Sequence, residues 1–281
     1  MSMTWDDGPQ PPEHKIGLFD WLRVVLRGLP VGILVFGGLI VLLGLRLIER
    51  PVFGQNRPIT PRITRFVCRN ALRLMGVGLI THGAPMNQRG AVVANHSSWL
   101  DIFALNASDL VYFVSKSEVA KWPGIGWPAR PTVTVFIARD PKRARDHAKL
   151  FQDRLLQGHR LLFFPEGTST DGLRVLPFKS TLFAAFMTPE LRDKLAIQPA
   201  SVIYHAPSGA DARYYGWWGD MDFGPHLLHT LAGRHQGTIE IVYHDPISVA
   251  DHPDRKSLAA ACEANVRQGH TKQLAIAKNP S

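Results

Sequence analysis

The sequence predicts an α/β fold in which a mainly parallel sheet is flanked by helices and preceded by an N-terminal membrane-associated helical segment. Its main support is that short apolar runs alternate with longer stretches of helical periodicity from residue 76 onward. A second observation is the uncharged apolar run, followed by a basic amphipathic stretch, that precedes residue 76. We therefore expect two parts, membrane-associated helices over residues 1–75 and an α/β domain over residues 76–281.

Composition limits the possible partners and the type of site. The 32 Lys and Arg residues exceed the 23 Asp and Glu residues, and the net charge of +9 favours anionic partners. Nucleic acid is disfavoured, because the basic residues do not interleave with stacking aromatics and no zinc finger is present. The only cysteines, Cys68 and Cys262, lie too far apart in sequence for a CxxC motif, so we expect idle thiols in a reducing compartment. We expect no metal and no cofactor.

The apolar run covers Gly28–Leu45 and contains no charged residue. Its 18 residues are just short of the roughly 20 that a helix needs to cross a bilayer. We predict a membrane-inserted helix, either spanning or re-entrant, with a buried core helix as the alternative. Positive charge is denser after the run than before it, so the chain from Arg46 onward is expected to be cytoplasmic.

The flanks of the apolar run have amphipathic patterns. Before it, residues 16–28 place apolar side chains on one helical face and charged side chains on another. After it, Thr60 and Pro61 are typical of an N-cap and a first-turn proline. A basic stripe follows, which fits an anionic membrane surface or, alternatively, an ordinary solvated helix face. It consists of Arg62, Arg65, Arg69 and Arg73.

The α/β part contains seven predicted strands and five predicted helices. The strands are Val77–Thr81, Ala91–Ala94, Leu110–Val114, Val133–Ala138, Leu161–Phe164, Ile197–Tyr204 and Thr238–Tyr243. The helices are Ser98–Asn106, Pro141–Gln157, Thr181–Phe186, Asp222–Ala232 and Pro253–Gln268. Loops that follow parallel strands are the expected place for a site.

One such loop contains a histidine and an aspartate five residues apart. Ser98 is predicted as the N-cap of the following helix, with Asp101 in its first turn, close to a capping box. His96 precedes the cap, so the chain can fold back and Asp101 can accept a hydrogen bond from one ring nitrogen. This bond would make the other nitrogen a better base. The alternative is a capping aspartate beside an incidental histidine.

Two further elements carry candidate binding residues. The strand over residues 161–164 ends in Pro165-Glu-Gly-Thr168, where backbone N–H groups can cradle an anion or an oxyanion. The strand over residues 133–138 delivers Arg139, whose guanidinium suits a carboxylate or a phosphate headgroup. An ordinary turn and a surface arginine are the alternatives.

Together, these elements resemble the motifs of the glycerolipid acyltransferases that make phosphatidic acid from lysophosphatidic acid. The stretch Asn95-His-Ser-Ser-Trp-Leu-Asp101 matches the first family motif, Phe136-Ile-Ala-Arg139 the end of the second, and Phe164-Pro-Glu-Gly-Thr168 the core of the third. Pro199 stands where the fourth motif has its proline. The similarity extends over residues 76–204.

The third and second motifs depart from the family pattern. The third usually continues with Arg and Ser, whereas Ser169-Thr-Asp-Gly172 follows here, and the second usually opens with Gly, whereas Val133 stands here. The loss of an arginine weakens the expectation of a glycerol-phosphate headgroup. The stretches over residues 166–180 and 217–222 are more similar to the lyso-ornithine lipid O-acyltransferases of the family.

The resemblance implies a membrane-bound O-acyltransferase. His96 would be the catalytic base and Asp101 its partner; the acceptor would be bound by Arg139, Glu166, Gly167 and Thr168, with Asn95, Lys116 and Pro165 as possible supporting residues. The acyl donor would be acyl carrier protein or a coenzyme A thioester, and the acceptor lyso-ornithine lipid or, alternatively, lysophosphatidic acid. The inner membrane of a bacterium is the implied location, with the catalytic domain facing the cytoplasm. The rival from another class is a non-catalytic membrane-binding protein.

Overall fold

The computed structural model describes residues 5, 10–11, 16–54, 57–116, 135–137 and 151–278. The helices of this part are α1 (Leu18–Phe53), α2 (Thr60–Met75), α3 (Leu100–Ser108), α4 (Pro189–Arg192), α5 (Phe223–Ala232) and α6 (Arg255–Lys278), with a 3-10 helix at Leu182–Phe186. Residues 151–156 are also helical. The strands are β1 (Gly78–His82), β2 (Gly90–Ala94), β3 (Tyr112–Lys116), β4 (Val135–Ile137), β5 (Leu161–Phe163), β6 (Ala196–His205), β7 (Thr238–Tyr243) and β8 (Ile247–Ser248).

The described strands form one sheet in the order β1-β7-β6-β2-β5-β3-β4, with β8 paired to β6. Strand β2 lies between β5 and β6 and is parallel to both. The antiparallel pairs are β6 with β7 and β6 with β8. The prediction of a mainly parallel sheet flanked by helices is confirmed. The antiparallel pairs were not predicted, because pairing between distant strands leaves no local signal in either strand.

Helices cover both faces of the sheet and bury two apolar clusters. Cys68 and Leu72 of α2 lie in the first cluster with Leu100 of α3. Leu258 and Cys262 of α6 lie in the second, on the other side of the sheet. Both cysteines are free and buried, and burial raises the pKa of each thiol to about 12. They are therefore unreactive packing residues, as expected.

Two predicted helix boundaries were wrong in an informative way. Helix α6 continues for ten residues beyond the predicted end at Gln268. A Cβ atom on Gly269 would lie 2.6 Å from Ser201 Oγ and from His244 Nε2, so this glycine permits close packing on β6 and does not stop the helix. Helix α2 begins at Thr60, and the Thr60 hydroxyl donates to Glu49 Oε2 (2.8 Å) and makes no cap.

Helix α1 contains the whole apolar run predicted from the sequence. It has 36 residues, which corresponds to a length of about 54 Å. By length and composition it can cross a membrane, and only 6% of its most apolar window is buried. Its buried residues are Val24, Leu42 and Glu49. The buried core helix considered as an alternative for Gly28–Leu45 is therefore wrong.

Helix α1 contacts the rest of the protein through its first half, its middle and, at Glu49, its last turns. The guanidiniums of Arg23 and Arg27 donate to the carbonyls of Ala232 (2.8 Å) and Leu231 (2.9 Å) at the end of α5. In the middle, a Cβ atom on Gly38 would lie 2.5 Å from Val67 Cγ2 of α2. Since α2 in turn contributes to the core, the helices before residue 76 are joined to the sheet by packing. The proposed boundary between residues 75 and 76 stays a prediction.

Candidate active site

The loop between β2 and α3 is fixed to the neighbouring strand β6. Asn95 is fully buried; its side-chain Nδ2 donates to the carbonyl of Val202 (2.8 Å), and its Oδ1 accepts from the N–H of Val202 (2.8 Å). The amide thus completes the backbone hydrogen bonds that the end of the sheet leaves open. Asn95 therefore fixes the start of the loop that carries His96.

His96 and Asp101 are in direct contact. His96 Nδ1 lies 2.7 Å from Asp101 Oδ2, within hydrogen-bonding distance. The Asp101 side chain is fully buried, whereas the His96 side chain is 20% exposed. Because Nδ1 is occupied by the carboxylate, Nε2 is the ring nitrogen able to accept a proton. The geometry of the pair is the one that the sequence predicted.

The Asp101 carboxylate accepts three further hydrogen bonds. The backbone N–H groups of Ser97 (2.8 Å) and Ser98 (3.0 Å) donate to Oδ2, and the hydroxyl of Tyr204 donates to Oδ1 (2.6 Å). The bond from Ser98 is half of the predicted capping box, although α3 begins at Leu100 with Trp99 as its cap residue. These donors hold the carboxylate in one orientation.

Tyr204 was missed by the sequence analysis. It lies near the end of β6 and is buried, and desolvation raises the pKa of its hydroxyl well above the usual value. The hydroxyl therefore stays protonated and serves as a donor to Asp101. Because 103 residues separate Tyr204 from Asp101, no local pattern signals the contact.

The His96 ring and backbone are held from the β5 side. The ring stacks on Phe164, with 4.1 Å between centroids and an interplanar angle of 11°. The carbonyl of His96 accepts from the N–H of Thr170 (3.0 Å). Phe164 belongs to a motif that the sequence analysis quoted, but its contact with the ring was not predicted.

Glu166 lies beneath the His96 loop. It is 1% exposed, and its Oε1 accepts from the backbone N–H of His96 (3.3 Å). Burial raises the pKa of the carboxyl well above its usual value, so the neutral form is favoured. Oε2 is buried and has no hydrogen-bond partner among the described residues. The contact positions His96, and the acceptor-binding role of Glu166 stays a prediction.

The residues around Glu166 form a tight turn. Gly167 has φ +75°, and its N–H donates to the carbonyl of Phe164 (3.1 Å). The carbonyl of Pro165 accepts from the N–H of Lys179 (3.0 Å). Thr168 Oγ1 donates to the carbonyl of Ser169 (3.3 Å) and accepts from the N–H of Trp5 (3.3 Å).

Strands β2 and β5 thus bring the first and third sequence motifs to one edge of the sheet. Two other expected site residues cannot be placed. Arg139 lies outside the described residues, and Lys116 is the last residue of β3, with nothing described of its side chain.

Three histidines, His226, His229 and His235, lie close together in the sequence in and after α5. No group of three or more His, Cys, Asp and Glu side chains there could hold a metal ion. His226 accepts from Trp99 Nε1 (2.9 Å) and donates through Nε2 to the carbonyl of Gly216 (2.9 Å). Burial lowers the pKa of His226 to about 4, so it is a neutral structural residue.

Comparison with known proteins extends the resemblance seen in the motifs. Residues 79–203 match a family model described as acyltransferase. A lyso-ornithine lipid O-acyltransferase from Rhodobacter capsulatus is 54% identical over 265 residues, which cover 94% of this chain and 96% of the relative. A second, from Brucella abortus, is 36% identical and covers 73% of this chain and 80% of the relative.

A solved structure shows the same fold. The crystal structure of the 1-acyl-sn-glycerophosphate acyltransferase PlsC from Thermotoga maritima matches with a TM-score of 0.64 at 19% identity, over 91% of this chain and 96% of that one. Fold, motifs and relatives together define the class: a lysolipid acyltransferase, which takes an acyl donor and a lysolipid acceptor. The chain belongs to the acyltransferase family.

Proposed function

We propose that the enzyme transfers a fatty acyl group from an acyl carrier protein or coenzyme A thioester to the hydroxyl of lyso-ornithine lipid, which gives ornithine lipid. The observation that carries this proposal is the 54% identity, over 94% of the chain, to an enzyme named for that acceptor. The departure at Ser169-Thr-Asp-Gly172 from the pattern of phosphatidic acid-forming enzymes agrees with it.

The His96–Asp101 pair supplies the base for this reaction. His96 Nε2 removes the proton of the lipid hydroxyl, and Asp101 stabilises the imidazolium through Nδ1–H. The oxygen attacks the thioester carbonyl, an ester C–O bond forms, the C–S bond breaks, and the thiolate leaves with the thioester electron pair. The proton on His96 then passes to the thiolate or to solvent. Because a thiolate is a good leaving group, no enzyme nucleophile is required.

The neighbouring residues have supporting roles in this proposal. Arg139, Gly167 and Thr168 are assigned to the acceptor on the resemblance described above. Glu166 acts in part through His96, since its carboxyl accepts the backbone N–H of that residue. Asn95, Pro165 and Lys116 support the site, with Asn95 fixing the loop to β6.

The N-terminal helices place the enzyme at its insoluble substrates. Helix α1 packs on α2 through Gly38 and leaves apolar side chains exposed along its length, among them Leu29 (62%), Ile33 (66%) and Ile40 (70%). We assign this surface to the inner membrane of a bacterium, with the catalytic domain on the cytoplasmic side, where both thioester donors occur. Because one side of α1 is covered by α2, insertion of its free side is favoured over a complete crossing.

A comparison of acceptors tests the proposal. The purified full-length enzyme is given lyso-ornithine lipid or lysophosphatidic acid, each with acyl carrier protein and coenzyme A thioesters, and free thiol is measured. We expect thiol release that depends on lyso-ornithine lipid and is absent in His96→Ala. Release with lysophosphatidic acid alone would replace the proposal by the alternative acceptor, and equal rates would indicate two activities.

A further inference from the structure

A group of basic side chains lies near the amino ends of the parallel strands, at the end of the sheet opposite to His96. Arg46 immediately follows the apolar run of α1, Arg57 precedes α2, and Arg154 lies in the helical residues 151–156. Two aromatic rings stand at the same place. Tyr112 begins β3 and His159 precedes β5, so both mark the amino ends of parallel strands. The catalytic loop follows the carboxyl end of β2, and the two sites are therefore distinct.

Arg57, Tyr112, His159 and Arg154 form one cluster of contacting side chains, and the charge of Arg46 is near enough to act on that of Arg57. The guanidinium carbon of Arg57 lies 6.0 Å from the centroid of the Tyr112 ring. Tyr112 stacks on His159 with 4.3 Å between centroids, and Arg154 Nη1 lies 3.4 Å from His159 Nδ1. Arg46 Nη1 is 3.9 Å from the carboxylate of the buried Glu49.

The cluster has more buried donors than acceptors. Within the described residues, no hydrogen-bond partner exists for Arg46 Nη1, Arg57 Nε and Nη1, Arg154 Nε or His159 Nε2, all of which are buried. The carboxylate of Glu49 already accepts hydrogen bonds from Ile59 N–H (2.8 Å) and the Thr60 hydroxyl (2.8 Å). Unpaired buried donors on charged groups are costly, so an anion at this place would be stabilising.

The electrostatics agree with the geometry. Burial, together with the charges of Arg46 and Arg154, lowers the pKa of Arg57 to about 10. Burial and the same kind of repulsion from Arg154 and Arg57 lower the pKa of His159 to about 4. An anion between the guanidiniums would offset the repulsion between these positive charges.

The surroundings indicate where the anion comes from. Leu47 and Ile48, which follow Arg46 on α1, are 79% and 67% exposed. They lie beside Arg46 on the exposed side of α1, whereas Glu49 is buried, so the polar groups of the cluster adjoin the free apolar surface of the helix. In a bilayer this is the depth of the lipid phosphates.

We propose that Arg46, Arg57 and Arg154 bind the phosphate group of one anionic phospholipid headgroup. Guanidinium groups match phosphate geometry with paired N–H donors, which suits this choice of three arginines. Such a site fixes the depth of α1 in the membrane independently of the acylation chemistry.

The test compares two double variants of the full-length enzyme in detergent micelles. The first, Arg57→Gln with Arg154→Gln, removes two charges from the cluster. The matched control, Arg255→Gln with Lys256→Gln, removes two charges from exposed positions at the start of α6. The thermal unfolding midpoint is followed as micelles are doped with phosphatidylglycerol, with phosphatidylcholine, or supplied with inorganic phosphate at equal ionic strength.

Phosphatidylglycerol should raise the midpoint of the wild type. To reach half of the maximal rise in midpoint, the cluster variant should require at least about tenfold more phosphatidylglycerol than the wild type. The control should require less than about threefold more. Without lipid, the cluster variant should unfold at or above the wild-type temperature, because the repulsion between the arginines has been reduced.

Equal losses of phosphatidylglycerol response in the two variants would overturn the proposed site. Should the cluster variant fail to fold, a wild type that responds equally to phosphatidylglycerol and phosphatidylcholine would also overturn it. Protection by inorganic phosphate with no further gain from phosphatidylglycerol would overturn the lipid source.

Discussion

The carboxylate of Asp101 receives donors from two parts of the chain: the His96 ring and two backbone N–H groups belong to one loop, and the hydroxyl of Tyr204 comes from β6. Oδ2 is shared by the ring and the backbone, whereas Oδ1 accepts, among the described residues, from the tyrosine alone. The hydroxyl should therefore set the orientation of the carboxylate that, in turn, orients the imidazole. Tyr204 is a positioning residue in this account.

Substitution Tyr204→Phe tests this role. We expect kcat to fall about 10- to 100-fold with the KM for either substrate unchanged, since a hydrogen bond to a charged group is lost and no substrate contact is removed. In an Asp101→Asn background the same substitution should add little, because both act on one interaction. Tyr243→Phe removes a buried hydrogen bond to Ser108 (2.7 Å) away from the site and should leave kcat unchanged. If Tyr204→Phe and Asp101→Asn instead lowered kcat independently, so that their effects multiplied in the double variant, Tyr204 would be a packing residue only.

At the scale of elements, helix α1 approaches α2 closely at a glycine. Two adjacent glycines of α1 differ sharply in their surroundings. A Cβ atom on Gly38 would lie 2.5 Å from Val67 Cγ2, whereas a Cβ atom on Gly37 would have no heavy atom within 4 Å.

This difference predicts opposite effects of the same substitution. Gly37→Ala should stabilise the protein by about 0.5–1 kcal/mol, because alanine favours the helical backbone. Gly38→Ala should destabilise it by about 1–3 kcal/mol, because the methyl group forces the helices apart. Unfolding midpoints in detergent and protease cleavage between α1 and α2 measure both. Equal shifts in the two variants would mean that the helices do not pack as described.

For the whole molecule, buried histidines should make stability depend on pH. Burial lowers the pKa of His226 to about 4, so the unfolded state binds more protons between pH 6.5 and 4. The contribution of neutral His226 is therefore complete above about pH 6.5 and is lost on acidification, by about 1.4 kcal/mol per pH unit. Buried Glu166 has the opposite sign: its raised pKa gives stability that is lost as pH rises above its unfolded value of 4.5.

A comparison of variants isolates the contribution of His226 to the pH dependence of stability. His226→Gln should lose less stability than the wild type between pH 7 and pH 4.5, whatever Glu166 contributes to both proteins. His235→Gln, at an exposed position, should follow the wild type. Unfolding midpoints across this range provide the measurement, and parallel curves for wild type and His226→Gln would contradict the burial of a neutral imidazole.

How far the sequence predicts the molecule depends on the separation of the interacting residues. The His96–Asp101 contact spans five residues and could be predicted from capping chemistry, and β2, β6 and β7 fall within one residue of their predicted bounds. The donor Tyr204 and the antiparallel pairing of β7 depend on contacts between distant segments, which leave no local pattern. The last turns of α6 were missed for a different reason: Gly269 resembles a helix stop but serves close packing.

In the proposed reaction, His96, oriented by Asp101, removes the proton of the lipid hydroxyl. The most direct measurement is kcat/KM of His96→Ala for lyso-ornithine lipid, with the unfolding midpoint measured in parallel and His235→Ala as the matched control. We expect kcat/KM to fall by about 10²–10⁴-fold or more with an unchanged midpoint, and the control to equal the wild type. A correctly folded His96→Ala enzyme with wild-type turnover would contradict this role of His96.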